Sequence, residues 1–178
     1  LGKASESPNN VSGRRAHPPR PERIWDMKIN QKERAIARKS ALAATGCADC
    51  VKARGHQFDD NVSFPVVVSD AAQDLTTTAE VSAFLEKIGL GYDLDRAKDG
   101  RKIRAGRGTM RNRKYRTPVS VLIVVAEREV PIFKSAANLP GVQIEAVGNL
   151  SAAILAPGGD AGRLTVYTES AFAKIGEW

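Results

Sequence analysis

The chain of 178 residues is poor in metal-ligating side chains, with only two cysteines and two histidines. The cysteines lie in Cys47-Ala48-Asp49-Cys50, a spacing found in redox pairs and in half of many zinc sites. A structural zinc ion needs four protein ligands, and His17 and His56 are too far apart in the sequence to form a second closely spaced ligand pair. We therefore predict no metal site, and interpret the cysteines as two small apolar side chains at a helix junction.

The sequence motifs of common enzyme families are also missing. The chain has no G-x-x-x-x-G-K-[ST], no G-x-S-x-G and no H-E-x-x-H. Residues 106–108 and 158–162 are rich in glycine, but each precedes a predicted strand, whereas a phosphate-binding loop follows a strand and opens a helix. His56 stands near Asp59 and Asp60, a combination that could serve acid–base catalysis. Because no nucleophile or second histidine lies nearby, we interpret the segment as an ordinary loop without a catalytic role. We predict that the protein is not an enzyme and uses no cofactor or small-molecule substrate.

Long apolar segments are absent as well. The longest mainly apolar run, residues 119–126, is too short to span a bilayer, and no signal peptide is recognisable. We therefore expect a soluble, intracellular protein without a membrane partner. Since Leu1 is not an initiator methionine, we expect the sequence to be processed, trimmed or incomplete.

Acidic residues are missing from residues 101–116, which hold eight basic residues. The formal net charge of the whole chain is +7. Residues 1–23 contribute +3 and residues 101–116 contribute +8, so the remainder carries −4. A nearly neutral body with its positive charge concentrated in two segments is typical of a nucleic-acid-binding protein.

The composition of residues 101–116 favours a phosphate-rich partner over a merely solvated charged loop. Arginine forms forked hydrogen bonds to phosphate oxygens, and Gly106 and Gly108 let the backbone approach a bulky ligand closely. Asn112 and Tyr115 add hydrogen-bonding and stacking groups. We predict contacts to phosphate and ribose from Lys102, Arg104, Arg107, Arg111, Arg113, Lys114 and Arg116.

The pattern along the chain predicts an extended arm over residues 1–23 and one α/β domain over residues 24–178, with a basic loop at 101–117. Four prolines and few apolar residues keep the arm from packing, and a disordered tail is the alternative interpretation. Cap residues predict helix starts near Asn30, Thr77 and Thr168. The predicted strands are residues 65–69, 119–125, 142–147 and 164–167.

A helical segment follows each predicted strand, which indicates a mostly parallel four-stranded sheet with helices on both faces. Residues 65–69 are apolar on both sides, as expected for a strand in a covered parallel sheet, and residues 119–125 form a second buried strand. The predicted fold class is therefore α/β, as a three-layer α/β/α arrangement with a basic extended loop and arm.

Several motifs together resemble the universal fourth protein of the large ribosomal subunit, in its archaeal and eukaryotic form. The resemblance runs in the same order from about residue 12 to the C-terminus. The motifs are Arg14-Arg15-Ala16-His17-Pro18-Pro19, Lys32-Glu33-Arg34 with Ser40-Ala41-Leu42-Ala43-Ala44-Thr45, Arg54-Gly55-His56, Lys102-Ile103-Arg104-Ala105-Gly106 with Arg111-Asn112-Arg113, Leu155-Ala156-Pro157-Gly158, Gly162-Arg163-Leu164-Thr165 and Thr168-Glu169-Ser170-Ala171.

The resemblance implies a structural constituent of the large subunit, located in cytoplasmic ribosomes. Such a protein binds large-subunit ribosomal RNA and neighbouring ribosomal proteins, and a long basic loop helps to line the peptide exit tunnel. The family is longer at the N-terminus, so we expect this chain to start on the returning limb of that loop. The resemblance assigns ribosomal RNA contacts at the base of the loop to Arg14, Arg15, His17 and Arg20.

Two departures from the family pattern are visible. Thr77-Thr78 stands where a Lys-Thr pair is common, and Gly159-Asp160-Ala161 replaces a more usual Thr-His-Pro. Short extensions typical of eukaryotic members are missing, which favours an archaeal source.

Two other classes of function remain as alternatives. An RNA-processing or nucleotide-dependent enzyme would need an acidic or nucleophilic cluster that the sequence does not show. A DNA-associated regulatory module would place its basic residues on a recognition helix, whereas here they lie in predicted loops.

Overall fold

The computed structural model describes residues 7–177. The chain divides into two compact units, Leu1–Asn30 and Gln31–Trp178. Residues 7–30 of the first unit form neither helix nor strand. Isolated turns occur there, in which the Gly13 N–H donates to the Asn10 carbonyl at 2.9 Å and the Arg23 N–H donates to the Arg20 carbonyl at 3.3 Å. Proline removes amide donors, which explains why no regular hydrogen-bond pattern develops in this segment.

The second unit contains all the described helices and strands. The strands are β1 (Val66–Val68), β2 (Lys102–Ile103), β3 (Tyr115–Arg116), β4 (Leu122–Val125), β5 (Gln143–Ala146) and β6 (Thr165–Thr168). The α-helices are α1 (Gln31–Thr45), α2 (Ala48–Ala53), α3 (Thr78–Lys87), α4 (Gly91–Asp99), α5 (Ile132–Ala136), α6 (Ala152–Leu155) and α7 (Glu169–Gly176). None of the helices within residues 7–177 is both long and apolar enough to cross a membrane.

Four of the strands form one parallel sheet in the order β1-β6-β4-β5. In the central strand β4, Ile123 lies opposite Val166 of β6 and Ile144 of β5. All four residues of β4 are buried, as expected when both faces of a parallel sheet are covered. Alternate side chains of β4 enter two separate cores, since Ile123 belongs to one and Leu122 to the other.

The two cores identify the layers on either side of the sheet. Helices α2 to α5 cover one face and contribute Val51, Val81, Leu85, Leu94 and Ile132. Helices α1, α6 and α7 cover the other face and contribute Ala41, Leu155, Ala171 and Ile175. The predicted three-layer α/β/α fold with a parallel four-stranded sheet is therefore confirmed.

All three predicted helix starts are found, with α1 beginning directly after Asn30, but the caps of α3 and α7 differ in origin. Before α3, the Glu80 N–H donates to Thr77 Oγ1 at 3.2 Å and the Thr77 N–H donates to Glu80 Oε2 at 3.1 Å, a complete capping box. At α7, Thr168 holds the cap position without a side-chain cap bond. Instead, Asp70 Oδ1 accepts from the Ser170 N–H at 3.1 Å and from the Ser170 Oγ at 2.7 Å.

Helix α4 is an element that the sequence pattern does not predict. Its buried residues are Asp93, Leu94 and Ala97, so a charged side chain occupies one position of the inward face. The remaining residues are mostly charged, and the apolar stripe that marks an amphipathic helix is too short to recognise. The helix leads directly into the basic residues 101–116.

The central strand supplies a direct test of the sheet. Ile123 is 1 % exposed, so truncation to alanine removes apolar contacts on the inside of the unit. We expect Ile123→Ala to lower the free energy of unfolding by about 2–5 kcal/mol in urea denaturation. Ile36→Ala on α1, where the side chain is 68 % exposed, is the control and should change it by less than about 0.5 kcal/mol. Equal stability of Ile123→Ala and the parent would show that the sheet is assigned wrongly.

Candidate nucleic-acid interface

Residues 101–116 form an ordered β-hairpin, here called the basic hairpin. Strands β2 and β3 are antiparallel, with Lys102 opposite Arg116 and Ile103 opposite Tyr115. The Arg104 N–H continues the ladder by donating to the Lys114 carbonyl at 2.8 Å. The sequence pattern predicts only a loop here, because two-residue strands leave no recognisable alternation in so charged a segment.

Hydrogen bonds to backbone carbonyl groups also shape the tip of the basic hairpin. Gly106 has a φ of 86°, and its carbonyl accepts from the Thr109 Oγ1 at 2.9 Å. The Arg113 N–H donates to the Gly108 carbonyl at 2.9 Å, and Asn112 turns the chain with a left-handed φ of 58°. Gly106 therefore needs the conformational freedom of glycine, whereas Gly108 has an ordinary helical φ of −58°.

The positive charge of the basic hairpin is exposed and uncompensated. All eight basic residues are exposed. Within the described part of the chain, none of them takes part in an ion pair. Arg104 uses part of its hydrogen-bonding capacity internally, since its Nε donates to the Tyr115 carbonyl at 3.2 Å. The hairpin carries all seven residues predicted for this segment: Lys102, Arg104, Arg107, Arg111, Arg113, Lys114 and Arg116.

The two limbs of the basic hairpin meet closely where they join the domain. A Cβ placed on Gly100 would lie 2.6 Å from Pro118 Cγ and 2.9 Å from the Arg96 carbonyl oxygen. No side chain larger than hydrogen fits there without displacing one of the limbs. This close approach fixes the width of the base from which the cationic strands project.

A buried carboxylate lies next to this base. Asp93 of α4 has no exposed surface. Its Oδ2 accepts from the Ser120 Oγ at 2.6 Å, and its Oδ1 accepts from the Gln57 N–H at 3.1 Å. The His56 Nδ1 lies 3.1 Å from both carboxylate oxygens. Asp93 thus joins α4 to Gln57, in the segment after α2, and to Ser120, two residues before the central strand β4.

Arg96 extends this network to the returning limb of the hairpin. Its Nε donates to Asp93 Oδ1 at 2.8 Å, and its Nη2 donates to the Val119 carbonyl at 2.8 Å. The residues on both sides of the basic hairpin are therefore tied to one carboxylate. His56 lies in a loop, as predicted, but it is buried against Asp93, and its ring forms no hydrogen bond or ion pair with Asp59 or Asp60.

The network keeps Asp93 ionised. Burial alone would raise the pKa of this carboxyl group, but hydrogen bonds from His56 and Arg96 and the bond from Ser120 hold the pKa well below its usual range. A buried charge is tolerated only when it is paired and hydrogen-bonded, and every contact described here favours the charged form.

Arg163, the cation of the Gly162-Arg163-Leu164-Thr165 motif, is not available to a ligand. Arg163 is 1 % exposed, and donates to the Ser120 carbonyl at 3.3 Å, to Gln143 Oε1 at 2.9 Å and to the Ile154 carbonyl at 2.8 Å. Burial, followed by the charge of Arg54, lowers the pKa of Arg163 to about 10, so the side chain stays protonated at neutral pH. Arg163 is thus a structural residue that holds Ser120 in place beside Asp93.

The predicted residues of the arm belong to the first unit. Arg14, Arg15, His17 and Arg20 are all exposed. Residues 15–23 curve around an open concavity of about 620 Å³, which Arg15, His17 and Arg20 line together with Arg23. Three of the four predicted residues are therefore brought to one concave surface.

The cysteines occupy the helix junction expected from the sequence. Cys47 directly precedes α2 and Cys50 lies in its first turn, and both are free and half-buried. In the part of the chain that the structure describes, no group of three or more histidine, cysteine, aspartate or glutamate side chains could hold a metal ion.

The Asp93 network gives a prediction about stability and pH. The pKa of Asp93 in the folded protein lies below the value of about 3.9 for an unfolded chain. Its stabilisation is therefore complete above about pH 4 and is lost as the pH falls below that value. We expect Asp93→Asn to lower the free energy of unfolding by about 3–5 kcal/mol at neutral pH, because it leaves buried donors facing an uncharged amide.

The difference in free energy of unfolding between the parent and Asp93→Asn should become smaller by about 1 kcal/mol as the pH is lowered from about 5 to about 3. Urea denaturation at the two pH values measures it. Asp95→Asn is the matched control, since Asp95 is exposed on the same helix. A deficit of the same size at both pH values would contradict an ionised Asp93.

Comparison with known proteins agrees with the resemblance of motifs. Residues 2–178 match the Ribosomal protein L4/L1 family. The large ribosomal subunit protein uL4 of Natronomonas pharaonis is 47 % identical over 176 residues, which cover 99 % of this chain and 70 % of that protein. The protein of the same name from Methanocaldococcus jannaschii is 48 % identical, over 99 % of this chain and 69 % of its own length.

A third relative, the large ribosomal subunit protein uL4 of Saccharolobus islandicus, is 46 % identical over 99 % of this chain and 66 % of its own length. All three organisms are archaea, in line with the source expected from the sequence. Because the family match extends over nearly every residue, the chain belongs to the Ribosomal protein L4/L1 family.

Proposed function

We propose that the protein is a non-catalytic, structural constituent of the large ribosomal subunit that binds large-subunit ribosomal RNA. The observation that carries the proposal is the basic hairpin, with eight exposed basic residues, no acidic residue and no ion pair among the described contacts. An RNA backbone supplies the negative charge that the hairpin lacks. Relatives that share nearly half of its residues are named as large ribosomal subunit proteins.

The geometry of the hairpin favours contacts to the RNA backbone. Its backbone is held by internal hydrogen bonds, and its base is fixed by Asp93 and Arg96, so the cations project from a rigid support. Less conformational entropy is lost on binding when the support is ordered in advance. The side chains Arg104, Arg107, Arg111, Arg113, Lys114 and Arg116 would then bind phosphate and ribose, with few hydrogen bonds to base edges.

The arm would be a second RNA contact. Residues 7–30 form no regular structure and expose nearly all their side chains, so little apolar burial is available to order them. Charge-assisted hydrogen bonds from Arg14, Arg15 and Arg20 to phosphates would provide that order, and His17 would join them. In this proposal the arm is the base of the loop that helps to form the peptide exit tunnel, in cytoplasmic ribosomes and next to other large-subunit proteins.

An enzymatic function is disfavoured by the arrangement of His56, Asp93 and Ser120, a cluster of residue types that occur in catalytic sites. His56, Asp93 and Ser120 are all buried, which leaves no access for a substrate. Asp93 accepts from Ser120 directly and lies between it and His56. In a hydrolytic triad the histidine must stand between the other two residues, so that it can take the proton from the hydroxyl group.

Binding through the hairpin predicts a specific dependence on salt. Each cation that neutralises a phosphate releases counterions, so log K falls with log salt in proportion to the number of phosphate contacts. We expect Arg111→Ala/Arg113→Ala to flatten this slope by about two contacts' worth. Filter binding to a transcript of large-subunit ribosomal RNA over a salt series measures it.

The matched control for this experiment is Lys87→Ala/Lys134→Ala, which removes the same charge from exposed positions of α3 and α5. It should leave the slope nearly unchanged. Duplex DNA is the competitor that separates RNA binding from a DNA-binding module. An unchanged slope for the arginine double variant would remove both arginines from the interface.

The arm makes a second prediction, about order. Backbone amides of residues 12–17 should exchange rapidly with solvent in the free protein and slowly in the RNA complex, as hydrogen–deuterium exchange can measure. Rapid exchange in both states would make the arm a simple tail. Strong protection in the free protein would show that it packs against its own chain, and would equally contradict RNA-dependent ordering.

A further inference from the structure

The two strands of the basic hairpin have chemically different faces. Residues that lie directly opposite each other in an antiparallel pair project to the same side. Ile103 and Tyr115 therefore share one face, and Lys102 and Arg116 share the other. Ile103 is 64 % exposed and Tyr115 is 46 % exposed, so the first face presents apolar and aromatic surface to the surroundings.

Tyr115 is held in place by a neighbouring cation. The Cζ of Arg101 lies 4.0 Å from the centroid of the Tyr115 ring, and the Nζ of Lys114 lies 5.5 Å from it. A guanidinium group at this distance makes a cation–π contact that limits movement of the ring. Tyr115 belongs to neither apolar core of the domain, so its aromatic surface does not serve the packing of the fold.

We propose that the pair formed by Tyr115 and Arg101 is a stacking site for an unpaired RNA base, with Ile103 extending its apolar surface. The inference rests on the proposed function and deepens it, because it specifies the form of RNA that the hairpin recognises. One face would bind phosphates through Lys102 and Arg116, and the other would bind a base. The target is then a bulge, loop or junction with an unstacked nucleotide, not an uninterrupted duplex.

A nucleotide complements the aromatic and cationic groups of this face better than an apolar protein segment would. Any partner that covers Tyr115 also meets Arg101 and Lys114, and all three lie within a hairpin that has eight cations and no anion. Each nucleotide carries a flat π surface and a negative phosphate together. Stacking on aromatic and guanidinium planes in a cationic setting is how proteins bind unpaired bases.

Stacking and phosphate binding affect the dependence of RNA affinity on salt concentration differently. Stacking releases no counterions, so its loss lowers the affinity equally at every salt concentration. We expect Tyr115→Leu to weaken binding to a large-subunit ribosomal RNA transcript by about tenfold, without a change in the slope of log K against log salt. Lys102→Ala/Arg116→Ala should instead flatten the slope. Tyr115→Phe keeps the ring and should bind like the parent.

The outcomes separate this inference from the proposed function. If Tyr115→Leu binds RNA like the parent while the Lys102/Arg116 variant flattens the slope, stacking is refuted and phosphate binding stands. If Tyr115→Phe is as weak as Tyr115→Leu, the hydroxyl group makes the contact and stacking is again refuted. If neither Tyr115→Leu nor the Lys102/Arg116 variant alters binding, both this inference and the role of the hairpin in RNA binding are overturned.

A folding control accompanies each variant. Because Tyr115 lies outside both cores, Tyr115→Leu should unfold at the same urea concentration as the parent. A continuous RNA duplex serves as the second probe, and the parent and Tyr115→Leu should bind it equally. A tenfold difference on the duplex as well would contradict recognition of an unpaired base.

Discussion

The ionised carboxylate of Asp93 is the interaction on which the candidate interface depends. Removing a charge from water is costly, and the cost is offset here by donors from Ser120, Gln57, His56 and Arg96. These donors come from three separate parts of the chain, which the carboxylate holds together. The basic hairpin leaves the domain just after α4 and returns just before Val119, so both of its limbs start from this fixed point.

The same arrangement separates the fold from the proposed function. The parallel sheet and its two cores are made by apolar contacts in a part of the chain that carries little net charge. The cations of the basic hairpin, which we propose to bind RNA, project from that body and contribute to neither core. Arg163 shows the contrast, since it is a cation inside the domain with neutral acceptors and a structural role. Among the described residues, no cationic side chain of the hairpin donates to an acceptor in the rest of the domain, and Arg104 donates to the Tyr115 carbonyl within the hairpin.

Much of the fold follows from local patterns, because buried parallel strands are short apolar runs and capping residues are neighbours in sequence. The Thr77–Glu80 capping box is such a case, and it gives a structural role to a residue that departs from the family pattern. The Asp93 network was not predictable, since its partners lie 36 and 27 residues away and α4 shows almost no apolar stripe. The charged stretch was identified from composition alone, whereas its two faces depend on the pairing of Ile103 with Tyr115, a register that composition does not determine.

The central claim is that the basic hairpin lies against large-subunit ribosomal RNA. Ultraviolet crosslinking of assembled large subunits, followed by identification of the crosslinked peptides by mass spectrometry, tests it most directly. The account predicts RNA adducts within residues 101–116, with Tyr115 among them, and none on the exposed surfaces of α3 and α5. Adducts confined to α3 and α5, with residues 101–116 recovered free of nucleotide, would contradict it.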